Sequence, residues 1–223
     1  MTEDDAEENL TLANRLCKIE ALEQELMANT VALWQKNMNL YQSDFFIAGA
    51  MNRVVAQSAG FRDLIAAKNF PCAAGILRMQ IDTAMRLNAI MLVKDVDEFF
   101  RDVSEGKRFD KLCAADGQKL TDRYLRIKLT EKYSWITPVY ESASDFVHLS
   151  MRHFYASIES MDDDTRTIRF SIGARDPSRP DDSYFEIVDA FFEVSKIAVL
   201  ILLGYHHSRN DFSNEASSAS AMG

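Results

Sequence analysis

The sequence predicts a mainly α-helical protein, a bundle of about six or seven helices with a two-stranded β-hairpin before the last helix. Three observations predict it. Long stretches free of glycine and proline carry apolar residues three and four positions apart, the spacing of one helix face. Between about residues 154 and 172 the period falls to two, which is the signature of strands. Helical spacing then returns in a densely apolar run that ends near His207.

The first helix is expected from about Asp5 to Lys36, with Leu12, Leu16, Ile19, Leu22, Leu26 and Leu33 on one face. That stripe can pack within the domain or against a second copy of the chain. A second helix, from about Leu40 to Asn69, has Phe45, Phe46, Met51, Val54 and Leu64 among its apolar positions. Pro71 suits the first turn of the next helix, which runs to about Val93 and should pair closely with its predecessor. Asp95 opens a short helix that Gly106 ends, and residues 107–117 are polar loop. Thr121 caps a helix through Tyr133, and Thr137-Pro138 begins another that reaches His148 or Ser150.

Alternation then places Phe154, Ala156 and Ile158 on one strand, and Ile168, Phe170 and Ile172 on its partner, with Met161 to Thr165 as the turn. Asp182 or Ser183 caps the final helix. The domain therefore spans residues 1–211, including an acidic tail at 1–8 and the hairpin insertion at 153–173. Residues 212–223, rich in Ser and Ala, have little to bury and are expected to be disordered.

The formal charge is −9, and five of the negative charges lie at Glu3, Asp4, Asp5, Glu7 and Glu8, which leaves the remainder near −4. Such a chain is not built for bulk nucleic-acid binding, which needs clustered cations. Cys17, Cys72 and Cys113 are odd in number and match no zinc spacing, so they read as reduced thiols of a cytoplasmic protein. No apolar run reaches the ~20 residues of a membrane span, and nothing in the sequence calls for a metal or a cofactor.

Arg78, Asp82 and Arg86 lie four residues apart on an otherwise apolar helix, so they form one charged stripe. The stripe is either an intrahelical ion-pair ladder or an anion site in which Asp82 orients one guanidinium and another faces ligand oxygens. A second polar group, Ser144, Asp145, His148, Ser150, Arg152 and His153, falls where helix gives way to strand. There His148 can serve as an acid, a base or a satisfied helix-end group. His206 and His207 suit a helix C-terminus, and Asp162 to Asp164 suit a solvated turn better than a cation loop.

The Arg78, Asp82 and Arg86 helix, followed by Ser144-Asp145-Phe146-Val147-His148-Leu149-Ser150, resembles a group of uncharacterised bacterial helical-bundle proteins, some of them associated with phage defence. That group is loosely similar to the nucleotide-binding bundles called HEPN. Ribonucleases of the HEPN group carry an Arg followed a few residues later by a His. Here His148 precedes Arg152, so the resemblance implies no catalytic residue.

The expected function is that of a non-catalytic binding or regulatory protein, with Arg78, Asp82, Arg86, His148, Ser150 and Arg152 forming a pocket for a small anion or nucleotide. A homodimer is expected, and no membrane partner. Two alternatives stand beside it: a nuclease or phosphotransfer enzyme using His148, and an interaction protein that dimerises through its helices without a ligand.

Overall fold

The computed structural model describes residues 11–36, 41–175 and 179–220, with side chains at 11–32, 41–175 and 179–205. The chain is mainly helical, with eight α-helices among the described residues and a two-stranded antiparallel hairpin before the last. The breaker-free N-terminal run becomes α1 (Leu12–Lys36), and the next becomes α2 (Gln42–Ala66). Ile19 and Leu26 of α1 are fully buried, and its stripe packs against α2 and the final helix of the same chain. Arg62 of α2 clasps Glu23 of α1 with two hydrogen bonds of 3.1 Å.

The turn to α3 (Phe70–Asn88) is tight because Lys68 takes a left-handed conformation, φ 57°, and Asn69 then caps α3 by accepting from the Cys72 N–H at 3.3 Å. Ala73, Leu77, Ile81, Ala84, Met85 and Leu87 of α3 are all buried, which is why this helix lies at the centre of the bundle. It packs against four others: α2, α5 (Asp122–Thr130), α6 (Ile136–Val147) and the final helix, α8 (Phe185–Ser220).

Between α3 and α5 lies α4 (Val96–Ser104), capped by Asp95, whose carboxylate accepts from the Glu98 N–H at 2.9 Å. Gly106, at φ 85°, ends it in a backbone conformation that a side chain would strain. The stretch read as loop contains a short 3₁₀ turn, Phe109–Lys111, and closes through Tyr124, whose hydroxyl donates to Asp116 at 2.9 Å. Burial, and then the Asp116 hydrogen bond, push the Tyr124 phenol up to about 12 from its ordinary 10.0. The folded chain thus holds this proton more tightly than the unfolded one. The stabilisation is complete below about pH 10 and disappears by about pH 12. In an ultraviolet pH titration the Tyr124 phenol should ionise near 12, and Asp116→Asn should lower that transition; a titration curve that Asp116→Asn leaves unchanged would contradict it.

The hairpin region differs from expectation at its start. Phe154 and Ala156 belong to a short helix, α7 (Met151–Ala156), and not to the first strand. Ser150 nucleates it by accepting from the Arg152 N–H at 3.2 Å, while His153 Nδ1 accepts from the Ser150 N–H at 3.3 Å. The strands are β1 (Ile158–Asp162) and β2 (Thr167–Phe170), with Met161 opposite Ile168 and Ile158 opposite Phe170. A register shift at Glu159 keeps Ile158 and Met161 on one face although they are three residues apart.

A 3₁₀ turn, Asp181–Tyr184, leads into α8, whose Phe191 ring stacks on Phe61 of α2 at 3.9 Å. The helical backbone of α8 continues to Ser220, well beyond the end expected near His207. The tail expected at 212–223 is therefore helical in its backbone as far as Ser220; its side chains, those of His206 and His207, and the acidic tail at 1–8 lie outside the described residues. No helix among the described residues is long and apolar enough to cross a membrane.

Candidate functional site

The charged stripe of α3 does not act as one ladder. Arg86 donates to Asp82 at 2.9 Å and to Asp122 of α5 at 2.9 Å, so two carboxylates neutralise it. Burial alone would lower its pKa, but the hydrogen bond and charge of Asp82, followed by the charge of Asp122, outweigh burial and leave it above its ordinary value. Arg78 instead turns toward α6. Its Nε donates to Ser144 Oγ at 3.1 Å, its Nη2 donates to the Tyr140 hydroxyl, and its guanidinium lies 3.6 Å from the centre of that ring. Arg126 approaches the same ring at 4.7 Å, while pairing with Glu141 at 3.2 Å.

The residues after α6 are used locally. Ser150 caps α7, its hydroxyl donates to the Asp145 carbonyl at 2.8 Å, and Arg152 pairs with the Asp145 carboxylate at 2.9 Å. His148 is exposed at the C-terminal end of α6, and among the described residues its ring has no hydrogen-bond partner. Arg152 borders a cavity of about 380 Å³ between α3, α6 and the start of α8, with Phe70, Leu77, Phe146, Ser183 and Glu186. Neither Arg78 nor His148 lines that cavity. The six residues expected to share one pocket are therefore distributed: Arg78 at the α3–α6 contact, Asp82 and Arg86 toward α5, and His148, Ser150 and Arg152 at the α6–α7 junction. The physical reason is that Ser150 starts α7 directly after α6 and the polar groups of this junction satisfy one another, Ser150 and Arg152 both bonding to Asp145.

Arg86 faces a second cavity, of about 290 Å³, between α2, α3 and the 3₁₀ turn at Phe109. Phe45, Phe46 and Phe109 supply its flat apolar walls, and Arg53 and Thr83 supply polar groups. Phe46 is fixed by ring contacts with Phe100 at 5.3 Å and Phe109 at 6.5 Å. Phe45 was expected among the apolar positions of α2, yet it is 70% exposed. The Arg86 guanidinium lies 5.0 Å from the Phe109 ring centre.

Arg53 is held by neutral partners. Its Nε donates to Thr83 Oγ1 at 2.9 Å, and Thr83 passes its own proton to the Met79 carbonyl at 2.9 Å. With the Gln57 amide oriented to put its oxygen toward the guanidinium, Arg53 Nε and Nη2 both donate to it at 3.1 Å, and its nitrogen donates to Thr83 Oγ1 and Gln80 Oε1. Gln80, completely buried, donates in turn to Ser195 of α8 at 2.9 Å. Among the described residues Arg53 makes no ion pair, so the positive charge at this cavity is offset only on the Arg86 side. The signal for this site was in the sequence: Phe45, Gly49 and Arg53 lie four residues apart, which puts an aromatic ring, a recess and a cation along one stripe of α2.

Among the described residues, no three histidine, cysteine, aspartate or glutamate side chains converge as a metal site. Comparisons with models of protein families, with curated proteins and with solved structures gave no match for this chain.

Proposed function

We propose that the protein is a non-catalytic binding or regulatory protein, and that the cavity between α2 and α3 takes a small ligand with a flat apolar body and an anionic group. The observation that carries this reading is the pairing, in one cavity, of three phenylalanine rings with an Arg53 guanidinium whose described partners are all neutral. The rings offer stacking surface, and the oriented fork offers a charge-assisted grip on carboxylate or phosphate oxygens. Arg86, already matched by Asp82 and Asp122, contributes shape more than charge. The resemblance to HEPN-like bundles is consistent with a nucleotide as the ligand, and a homodimer belongs to the same reading.

The test is a thermal-shift and calorimetric comparison using nucleoside monophosphates, aromatic carboxylates and inorganic phosphate. A ligand at a hundredfold excess over its dissociation constant should stabilise the fold by ~2.7 kcal/mol, or roughly 5–10 °C for a domain of this size. Arg53→Ala should weaken that ligand by about 10- to 100-fold, the loss of a charge-assisted hydrogen bond. Arg78→Ala should leave it unchanged, because Tyr140 and Ser144 already occupy that guanidinium. Unaltered binding by a folded Arg53→Ala would reject the site, and loss of binding in Arg78→Ala would move it to the α3–α6 contact.

A further inference from the structure

The hairpin has one apolar face and one polar face, set by its register. Met161 and Ile168 are cross-strand partners, as are Ile158 and Phe170, while Ser160 with Arg169 and Asp162 with Thr167 take the other side. The apolar face is continued by Phe154, whose ring lies 6.0 Å from Phe170, and by Tyr155, 5.4 Å from Phe154. The main contacts of this arm are between its own strands and with α7, so the core does not cover it. Ile172 is 92% exposed, Tyr155 65% and Met161 63%.

By their fractional exposures Phe154, Tyr155, Met161, Ile168, Phe170 and Ile172 together leave roughly 700 Å² of residue surface open, beyond the ~300–600 Å² of the largest apolar patch on a typical monomer. A two-stranded hairpin is also marginal without a further layer packed on it. We infer that a second copy of this chain supplies that layer, the two apolar faces stacking about a two-fold axis. Two such faces would bury roughly 1,400 Å², within the ~1,200–2,000 Å² of specific interfaces.

The charge pattern favours one orientation of the pair. The turn carries Asp162, Asp163 and Asp164 against the single Arg166, which makes the tip of the arm acidic, while Arg169 lies on the polar face, away from the contact. An axis perpendicular to the strands keeps the acidic turns of the two copies at opposite ends, whereas an axis along the strands would oppose them.

Sedimentation velocity on the full chain over a concentration series tests the inference, with the pair expected for the wild type. Ile168→Asp with Phe170→Asp should raise the dissociation constant by about a hundredfold or more, because each carboxylate would be buried against an apolar face. Circular dichroism should remain helical, since neither residue belongs to the core. A second arm avoids destabilising changes: with Cys17, Cys72 and Cys113 replaced by serine, Ile168→Cys should oxidise to a linked dimer and Ser160→Cys, on the polar face, should not. A wild-type chain that sediments as one copy at all concentrations overturns the inference. So does a pair that survives the double aspartate variant, which would place the contact elsewhere, for instance at the exposed Met27 and Val31 of α1.

Discussion

Phe61→Ala should lower the free energy of unfolding by about 3–5 kcal/mol, the cost of deleting a fully buried aromatic side chain. Phe61 is completely buried, and its ring lies nearly parallel to that of Phe191, 10° apart in plane, so one stack joins α2 to α8 across 130 residues of chain. Since a domain is stable by only ~5–15 kcal/mol, the substitution removes a large share of the whole. Denaturant unfolding followed by circular dichroism measures it. A loss below about 1 kcal/mol would mean that the stack contributes little beyond what its neighbours can replace.

Gln57→Leu should cost about 1–3 kcal/mol and should also weaken any ligand of the α2–α3 cavity. Its amide joins Arg53 at the cavity to Gln80 in the interior, and Gln80 reaches Ser195 of α8. Leucine keeps the volume but removes the bonds. The buried Gln80 oxygen then loses its donor, while Arg53, being exposed, can turn to water and leave its working orientation. The double variant Gln57→Leu with Gln80→Leu should cost less than the sum of its parts by about 0.5–3 kcal/mol, because groups of one network are removed together. Additive losses would show that the amides do not interact, and undiminished ligand affinity in a folded Gln57→Leu would show that Arg53 needs no such support.

The parts of the fold that were legible in the sequence are those set by nearby residues. Asp95 and Thr121 each accept from the backbone N–H three residues on, so a cap is written in a four-residue window. The apolar stripe of α1 and the nearly all-round apolarity of α3 likewise announce how each is buried. The first strand failed at Phe154 for the same local reason in reverse. Alternation was real, but Ser150 and His153 form a capping box that starts a helix, and the cap prevailed over a weak two-residue period.

The candidate site divides in the same way. The spacing of Arg78, Asp82 and Arg86 fixed that they share a face of α3. Which neighbours that face would meet depended on α5 and α6, which bring Asp122 to Arg86, and Tyr140 and Ser144 to Arg78. The spacing of Phe45, Gly49 and Arg53 aligns them on one stripe of α2, but only α3 and Phe109 enclose a cavity around that stripe. The chain by itself thus determined the helices, their caps and their buried faces, because periodicity and capping act over one or two turns. Only the tertiary structure decided which cation keeps neutral partners and which is neutralised, because that depends on side chains 26 to 66 residues apart meeting across helix contacts that no local pattern encodes.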